Sequence, residues 1–308
     1  MRTAGSAGWT PAPARVSAPA RTVAGVHAAA RLDPLPALSS VAARAVPGVE
    51  EVDAAAGTVR RLVDLGAGPV PVTVTLAPDG ATAQVAGPGT PPDGTDAALR
   101  RLLARWFGVD DDLDAVHAAL GADPVLGPLL RTRPHLRVLG HPDGFEAAVQ
   151  AVLTQQVSLR AGRTLGARLA EAYGRPHPSG LRAYPTPEAV AAADPVTLQA
   201  VLRVPHARAG AVHAIAVACA DGLALAPGAD VGQVRRALLA LRGVGPWTAD
   251  VVALRALGDR DAFPSGDLVL RRALAVPHAR DVAAAGLAWA GWRGWAATHL
   301  WASVGYAD

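Results

Sequence analysis

The strongest constraint on the fold is a change of hydrophobic pattern near Asp110. Before it, short β-branched runs are broken by Gly and Pro. After it, segments of helical period follow one another across short loops. Residues 59–63 and 70–76 read as strands, and 81–85 follows the turn Pro78-Asp79-Gly80, so a hairpin is expected there. A short helix over 38–46 ends at Pro47-Gly48, and 96–107 places Leu99, Leu102, Leu103 and Trp106 on one helical face. The pattern predicts an α+β fold: a small antiparallel-sheet α+β domain over 35–110, then an all-α region over 111–308. In the second region helices are expected at 113–120, 124–130, 144–156, 159–173, 187–193, 195–202, 207–221, 230–241, 248–257, 267–274 and 294–304. Residues 1–34, rich in Ala, Pro, Gly and Arg without a period, read as a disordered extension.

Composition removes several chemistries. The 308 residues include one cysteine, Cys219, so a disulfide framework, a four-cysteine iron–sulfur cluster and a cysteine zinc site are all excluded. The histidines are scattered, and no metal site is expected from them. The chain contains no lysine, which rules out Schiff-base chemistry by a lysine amine. The net charge of +3 is too small to argue for a nucleic-acid partner by itself. No apolar run approaches the roughly 20 residues that span a bilayer, and the first residues lack the apolar stretch of a signal peptide. The expectation is a monomeric cytoplasmic protein of bacterial type.

The most informative segment is Leu241-Arg242-Gly243-Val244-Gly245-Pro246-Trp247-Thr248-Ala249, which joins two helical patterns. Two glycines one residue apart permit a tight turn with positive φ and close backbone approach. The first amides of the following helix then point outward at the positive end of its dipole, a geometry suited to phosphate. An ordinary helical hairpin with a glycine cap fits the same pattern. Shortly afterwards, Pro264-Ser265-Gly266-Asp267 places an acid at the start of another helix. Asp267 fits a plain N-cap and equally a carboxylate facing a cleft beside the hairpin.

Together these segments resemble the DNA-3-methyladenine glycosylase II family of the helix-hairpin-helix DNA glycosylase superfamily. Further likeness lies in His141-Pro142-Asp143-Gly144-Phe145-Glu146, in Leu153-Thr154-Gln155-Gln156-Val157-Ser158, in Trp292-Arg293-Gly294-Trp295 through Trp301, and in Val41 to Glu50. The resemblance runs from about Leu35 to Trp301. It implies that Asp267 is the catalytic aspartate and that Arg242, Gly243, Val244, Gly245 and Thr248 bind DNA at the hairpin. It implies that Gln156 fills the gap left by an extruded nucleotide, and that Trp247, Trp301 and Arg44 line the base pocket. Val251, Leu268 and Ser40 stand where aromatic residues are expected, which implies a less aromatic pocket.

The implied activity is monofunctional hydrolysis of N-alkylated bases from double-stranded DNA. Related lyase-competent enzymes carry a lysine where Trp247 stands. No cofactor is required, although a monovalent cation on the hairpin carbonyls is implied. Arg235, Arg236, Arg242, Arg271 and Arg272 are candidate phosphate contacts. Two alternatives remain open at this point: a glycosylase for another lesion, such as hypoxanthine, uracil or etheno-adenine, and a non-catalytic binder of damaged DNA.

Overall fold

The computed structural model describes residues 22–87 and 91–305. Its first part contains β1 (Thr22–Ala29), α1 (Pro34–Ala42), β2 (Glu50–Asp53), β3 (Thr58–Asp64), β4 (Pro69–Ala77), β5 (Gly80–Ala86) and α2 (Thr95–Phe107). The five strands form one antiparallel sheet in the order β1-β5-β4-β3-β2. Alternation dictates its buried face: Val72, Val74 and Leu76 of β4 and Ala81, Ala83 and Val85 of β5 are buried. α2 crosses β1 and β5 and seals that face with Leu99, Leu102, Leu103 and Trp106.

β1 corrects the reading of residues 1–34 as a disordered extension. Residues 1–21 lie outside the described residues, but the strand from Thr22 is an integral edge of the sheet. It was obscured because Ala and Gly occupy half of its positions, and only alternation of bulky residues marks a strand. β2 was missed for a related reason. Glu50-Glu51-Val52-Asp53 is acidic, and it is held as an edge by Arg60 on Glu51 at 2.9 Å and Arg61 on Glu50 at 3.1 Å.

The second part contains α3 (Leu113–Leu120), α4 (Leu126–Thr132), α5 (Gly144–Leu153), α6 (Leu159–Tyr173), α7 (Pro187–Ala191), α8 (Pro195–Leu202) and α9 (His206–Ala220). It continues with α10 (Val231–Ala240), α11 (Pro246–Val252), α12 (Leu268–Ala273), α13 (Ala279–Gly286) and α14 (Arg293–Val304). Local chemistry sets many of the starts. Asp112, Asp143, Ser158, Thr186, Asp194 and Asp230 each accept a backbone N–H of the first helical turn. α5 ends three residues earlier than expected, which leaves Thr154, Gln155 and Gln156 in a loop. α11 runs into a π-helical turn, Ala253–Leu257, closed by Gly258 in the left-handed region. A two-residue ladder of β6 (Arg175–Pro176) with β7 (Arg182–Ala183) interrupts the otherwise helical region. α13 was not anticipated.

Each part has its own apolar core, and a buried ionic joint ties them together. Arg61 of β3, 3% exposed, pairs with Glu50 and with Glu146 of α5, itself 2% exposed. Burial opposes the Arg61 charge, but the two carboxylates outweigh it and raise the guanidinium above its ordinary range. Burial pushes Glu146 up to about 7 against the pull of Arg61.

Candidate active site

Asp267 sits at the N-cap of α12, where Pro264 and Gly266 turn the chain away from the π-helical end of α11. Its Oδ1 accepts the amides of Val269 at 2.8 Å and Leu270 at 3.2 Å. The carboxylate is therefore an N-cap, as one reading held, but capping does not exhaust it. Trp247 of α11 donates its indole N–H to Oδ2 at 2.8 Å, and Trp301 of α14 donates its own to Oδ1 at 3.2 Å. Four N–H donors converge on one half-buried carboxylate. Oδ1 takes three of them, so Oδ2 is the oxygen that retains a lone pair for a further partner. Three elements far apart in sequence meet here because α12 packs along α14.

The hairpin lies at the other end of Trp247. Gly243 has φ +88 and sits so close to α9 that an added Cβ would be 2.9 Å from the Ala211 Cβ. Only glycine meets both conditions without strain. Gly245 is extended and opens onto free space. Pro246 occupies the first helical position, where its missing N–H costs nothing. The amides of Trp247 and Thr248 belong to the first turn of α11 and have no carbonyl four residues back within the helix.

Not every expected hairpin contact lies on the surface. Thr248 is 1% exposed, and its hydroxyl accepts from Gln155 Nε2 at 2.9 Å, so its side chain is not presented to a ligand. Val244 is buried and packs into the helical core. Arg235 keeps 39% of its side chain exposed and is paired, with Nε and Nη2 on Asp250 Oδ1 at 3.0 and 2.8 Å. Arg271 donates to the Pro277 carbonyl at 3.3 Å. Arg236, Arg242 and Arg272 are exposed.

Gln156 is exposed at the α5–α6 loop, with φ +55. Arg44 follows α1 and donates to the carbonyl and hydroxyl of Ser40, each at 2.9 Å. Ser40, Trp301, Leu254 and Thr298 line a recess of about 10 Å³, room for roughly one water molecule and not for a base. Val251 is buried one turn beyond Trp247, and Leu268 is half exposed beside Asp267. Among the described residues no group of three or more His, Cys, Asp or Glu side chains is placed to hold a metal ion, and no helix is long and apolar enough to cross a membrane.

Two residues at this site were missed. Gln155, neighbour of the expected Gln156, reaches the hairpin, and Arg208 of α9 donates to the Gln155 carbonyl at 2.6 Å. Adjacent glutamines carry no sequence signal to show which of the two points inward.

The family model of the AlkA N-terminal domain matches residues 32–143, and that of the HhH-GPD superfamily base excision DNA repair protein matches residues 149–280. A probable bifunctional transcriptional activator/DNA repair enzyme AlkA of Mycobacterium tuberculosis (strain ATCC 25618 / H37Rv) is 41% identical over 278 residues, 86% of this chain and 53% of that protein. The chain thus spans about half the length of that relative. DNA-3-methyladenine glycosylase 2 of Escherichia coli (strain K12) is 33% identical over 208 residues, 66% of this chain and 71% of that protein. The solved 3-methyladenine DNA-glycosylase from Archaeoglobus fulgidus superposes with a TM-score of 0.75 at 21% identity, covering 90% of this chain and 96% of that one, and so shares the fold.

Proposed function

Since the chain belongs to the HhH-GPD superfamily of base excision DNA repair proteins, in its DNA-3-methyladenine glycosylase branch, we propose that it hydrolyses the N-glycosidic bond of alkylated purines in duplex DNA. The observation that carries this reading is the convergence of two indole N–H groups on Asp267 beside the hairpin. A structural N-cap needs only the backbone amides that Asp267 already holds.

The steps follow from this geometry. The hairpin amides and exposed arginines bind backbone phosphates. A target nucleotide must leave the stack before its glycosidic bond can be reached, at a cost of a few kcal/mol that is least for a damaged base. Gln156 enters the vacated space. An N3- or N7-alkylated purine is already cationic, so the C1′–N bond breaks with its electron pair going to the base, which leaves neutral. The sugar becomes oxocarbenium-like, and Asp267 Oδ2 stabilises that positive charge. Water adds to C1′ and loses a proton to solvent, leaving an abasic site. The faces of Trp247 and Trp301 favour a cationic base by about 0.5–2 kcal/mol. The recess beside Trp301 and Ser40 must open for a base to enter, and Val251 beyond Trp247 and Leu268 beside Asp267 add no aromatic face there.

A chain without lysine lacks the amine for strand cleavage by a Schiff base, so the reaction stops at the abasic site. A monovalent cation belongs to the same proposal. Backbone carbonyls are hard, neutral donors, and those of Leu241 and Gly243 each keep a lone pair beside the hydrogen bond they accept. Its contribution would be charge at the phosphate grip.

The experiment is to incubate the protein with methylated duplex DNA, identify the released bases by mass spectrometry, and treat the mixture with borohydride. Release of 3-methyladenine or 7-methylguanine without a trapped covalent adduct is expected. Release of hypoxanthine or etheno-adenine alone from matched substrates would transfer the reading to another lesion. No release of any of them would refute it.

A further inference from the structure

The segment between α5 and α6 is tied down more firmly than an exposed loop requires. At its entry Thr154 closes α5, with N and Oγ1 donating to the Gln150 carbonyl at 2.9 and 2.8 Å. α6 approaches so closely that a Cβ on Gly162 would fall 2.3 Å from Thr154 Cγ2. At its exit the Ser158 hydroxyl accepts the Ala161 amide at 3.2 Å. Between these anchors Gln156 holds the left-handed conformation, which a residue with a Cβ adopts only where its surroundings enforce it. Gln155 is part of what enforces it. Its Nε2 donates to Thr248 Oγ1 at 2.9 Å and to the Gly243 carbonyl at 3.2 Å, while its own carbonyl accepts from Arg208. One side-chain amide therefore joins the loop to both sides of the hairpin turn, and the guanidinium of α9 locks the same residue from a third side.

We propose that Gln155 is a positioning residue that couples the hairpin's hold on the DNA backbone to the insertion of Gln156 into the base stack. The inference rests on the base-flipping reading above. Extrusion needs two events in register: a phosphate held at the hairpin, and a side chain placed in the stack at a fixed distance from it. With Gln155 as a strut, docking of the hairpin delivers Gln156 at that distance. Without it, the loop and the hairpin are joined only through the helices that carry them, and the insertion loses its register although each part is still present.

The test uses the full chain, with Gln155→Met, which keeps side-chain length but removes both donations, alone and combined with Gln156→Ala. A duplex carrying 2-aminopurine next to an abasic-site analogue reports stack opening by stopped-flow fluorescence. The expected result is stack opening slowed by Q155M about tenfold to a hundredfold, the scale of two lost hydrogen bonds. Affinity for undamaged duplex should change by less than about threefold, and Q155M should add nothing in the Q156A background, since two residues acting as one unit are not additive. Penalties that multiply in the double variant would overturn the coupling. So would a fall in affinity for undamaged DNA as large as the loss of opening. Should Q155M lose its cooperative thermal transition, Arg208→Met removes the tie on the opposite side of the same residue and is judged by the same outcomes. Fluorescence opening does not require bond cleavage, so the two readings fail separately. A wild type that opens the stack but releases no base contradicts the glycosidase reading and leaves the coupling standing. A wild type that opens no stack overturns the coupling itself.

Discussion

Asp267 holds four N–H donors on two oxygens, two from its own helix and two from indoles. The indole pair separates orientation from packing. Trp247→Phe keeps an aromatic face but removes the donor to Oδ2. Hydrogen bonds to a charged group contribute about 1.5–3 kcal/mol, so single-turnover base release should fall about tenfold to a hundredfold, with affinity for abasic-site DNA kept within about threefold. Equal losses in both would show that Trp247 acts through packing alone. His299 offers a second test. It is 2% exposed on α14, and burial holds its imidazole down to about 4. Between about pH 4 and its ordinary 6.5 the unfolded chain binds the proton and the folded chain does not. Stability is therefore complete above 6.5 and falls by up to about 3 kcal/mol as pH drops through this window. Denaturant titrations should show that slope in the wild type and a shallower one in His299→Leu. At this scale motif likeness singled out Asp267, Trp247 and Trp301, which the structure brings into contact. The burial of Thr248 and the pairing of Arg235 with Asp250 were not legible, because burial and ion-pair partners are decided by elements distant in sequence.

At the scale of elements the hairpin depends on Gly243, which joins a positive φ to contact with α9. Gly243→Ala should weaken binding to duplex DNA about tenfold in fluorescence anisotropy, since a strained left-handed alanine costs of order 1–3 kcal/mol. Unchanged affinity with an unchanged salt slope would remove the hairpin from the DNA interface. The helices were readable because caps and periodicity agree, as with Asp194-Pro195 opening α8 and Thr186-Pro187 opening α7. The misses share one cause: β1, β2 and α13 are built from Ala, Gly or acidic residues whose local preference is weak, and pairing with neighbours supplies the structure. The early stop of α5 belongs here too, since Thr154 folds its hydroxyl back onto the helix and frees the loop.

At the scale of the whole molecule the sheet domain and the helical bundle are joined through Arg61 and Glu146. Removing one partner of a buried pair strands the other, at about 3–5 kcal/mol. Glu146→Ala should lower the unfolding free energy by that amount in urea titration. A change below about 1 kcal/mol would mean that Glu50 alone compensates Arg61. The two-part architecture was legible from the change of pattern near Asp110, but this joint was not, because neither an arginine in a strand nor a glutamate in a first helical turn announces a buried partner. What the assembly brings together is a carboxylate held by two indoles, a two-glycine turn and an exposed glutamine. The central claim is that Asp267 breaks the glycosidic bond while the rest of that assembly grips the DNA. The direct measurement is single-turnover release of 3-methyladenine and 7-methylguanine from methylated duplex by wild type and Asp267→Asn, with affinity for abasic-site DNA measured on the same preparations. The account predicts release by the wild type, loss of at least about a thousandfold in the variant, and binding retained by both. Release by Asp267→Asn at the wild-type rate would contradict it.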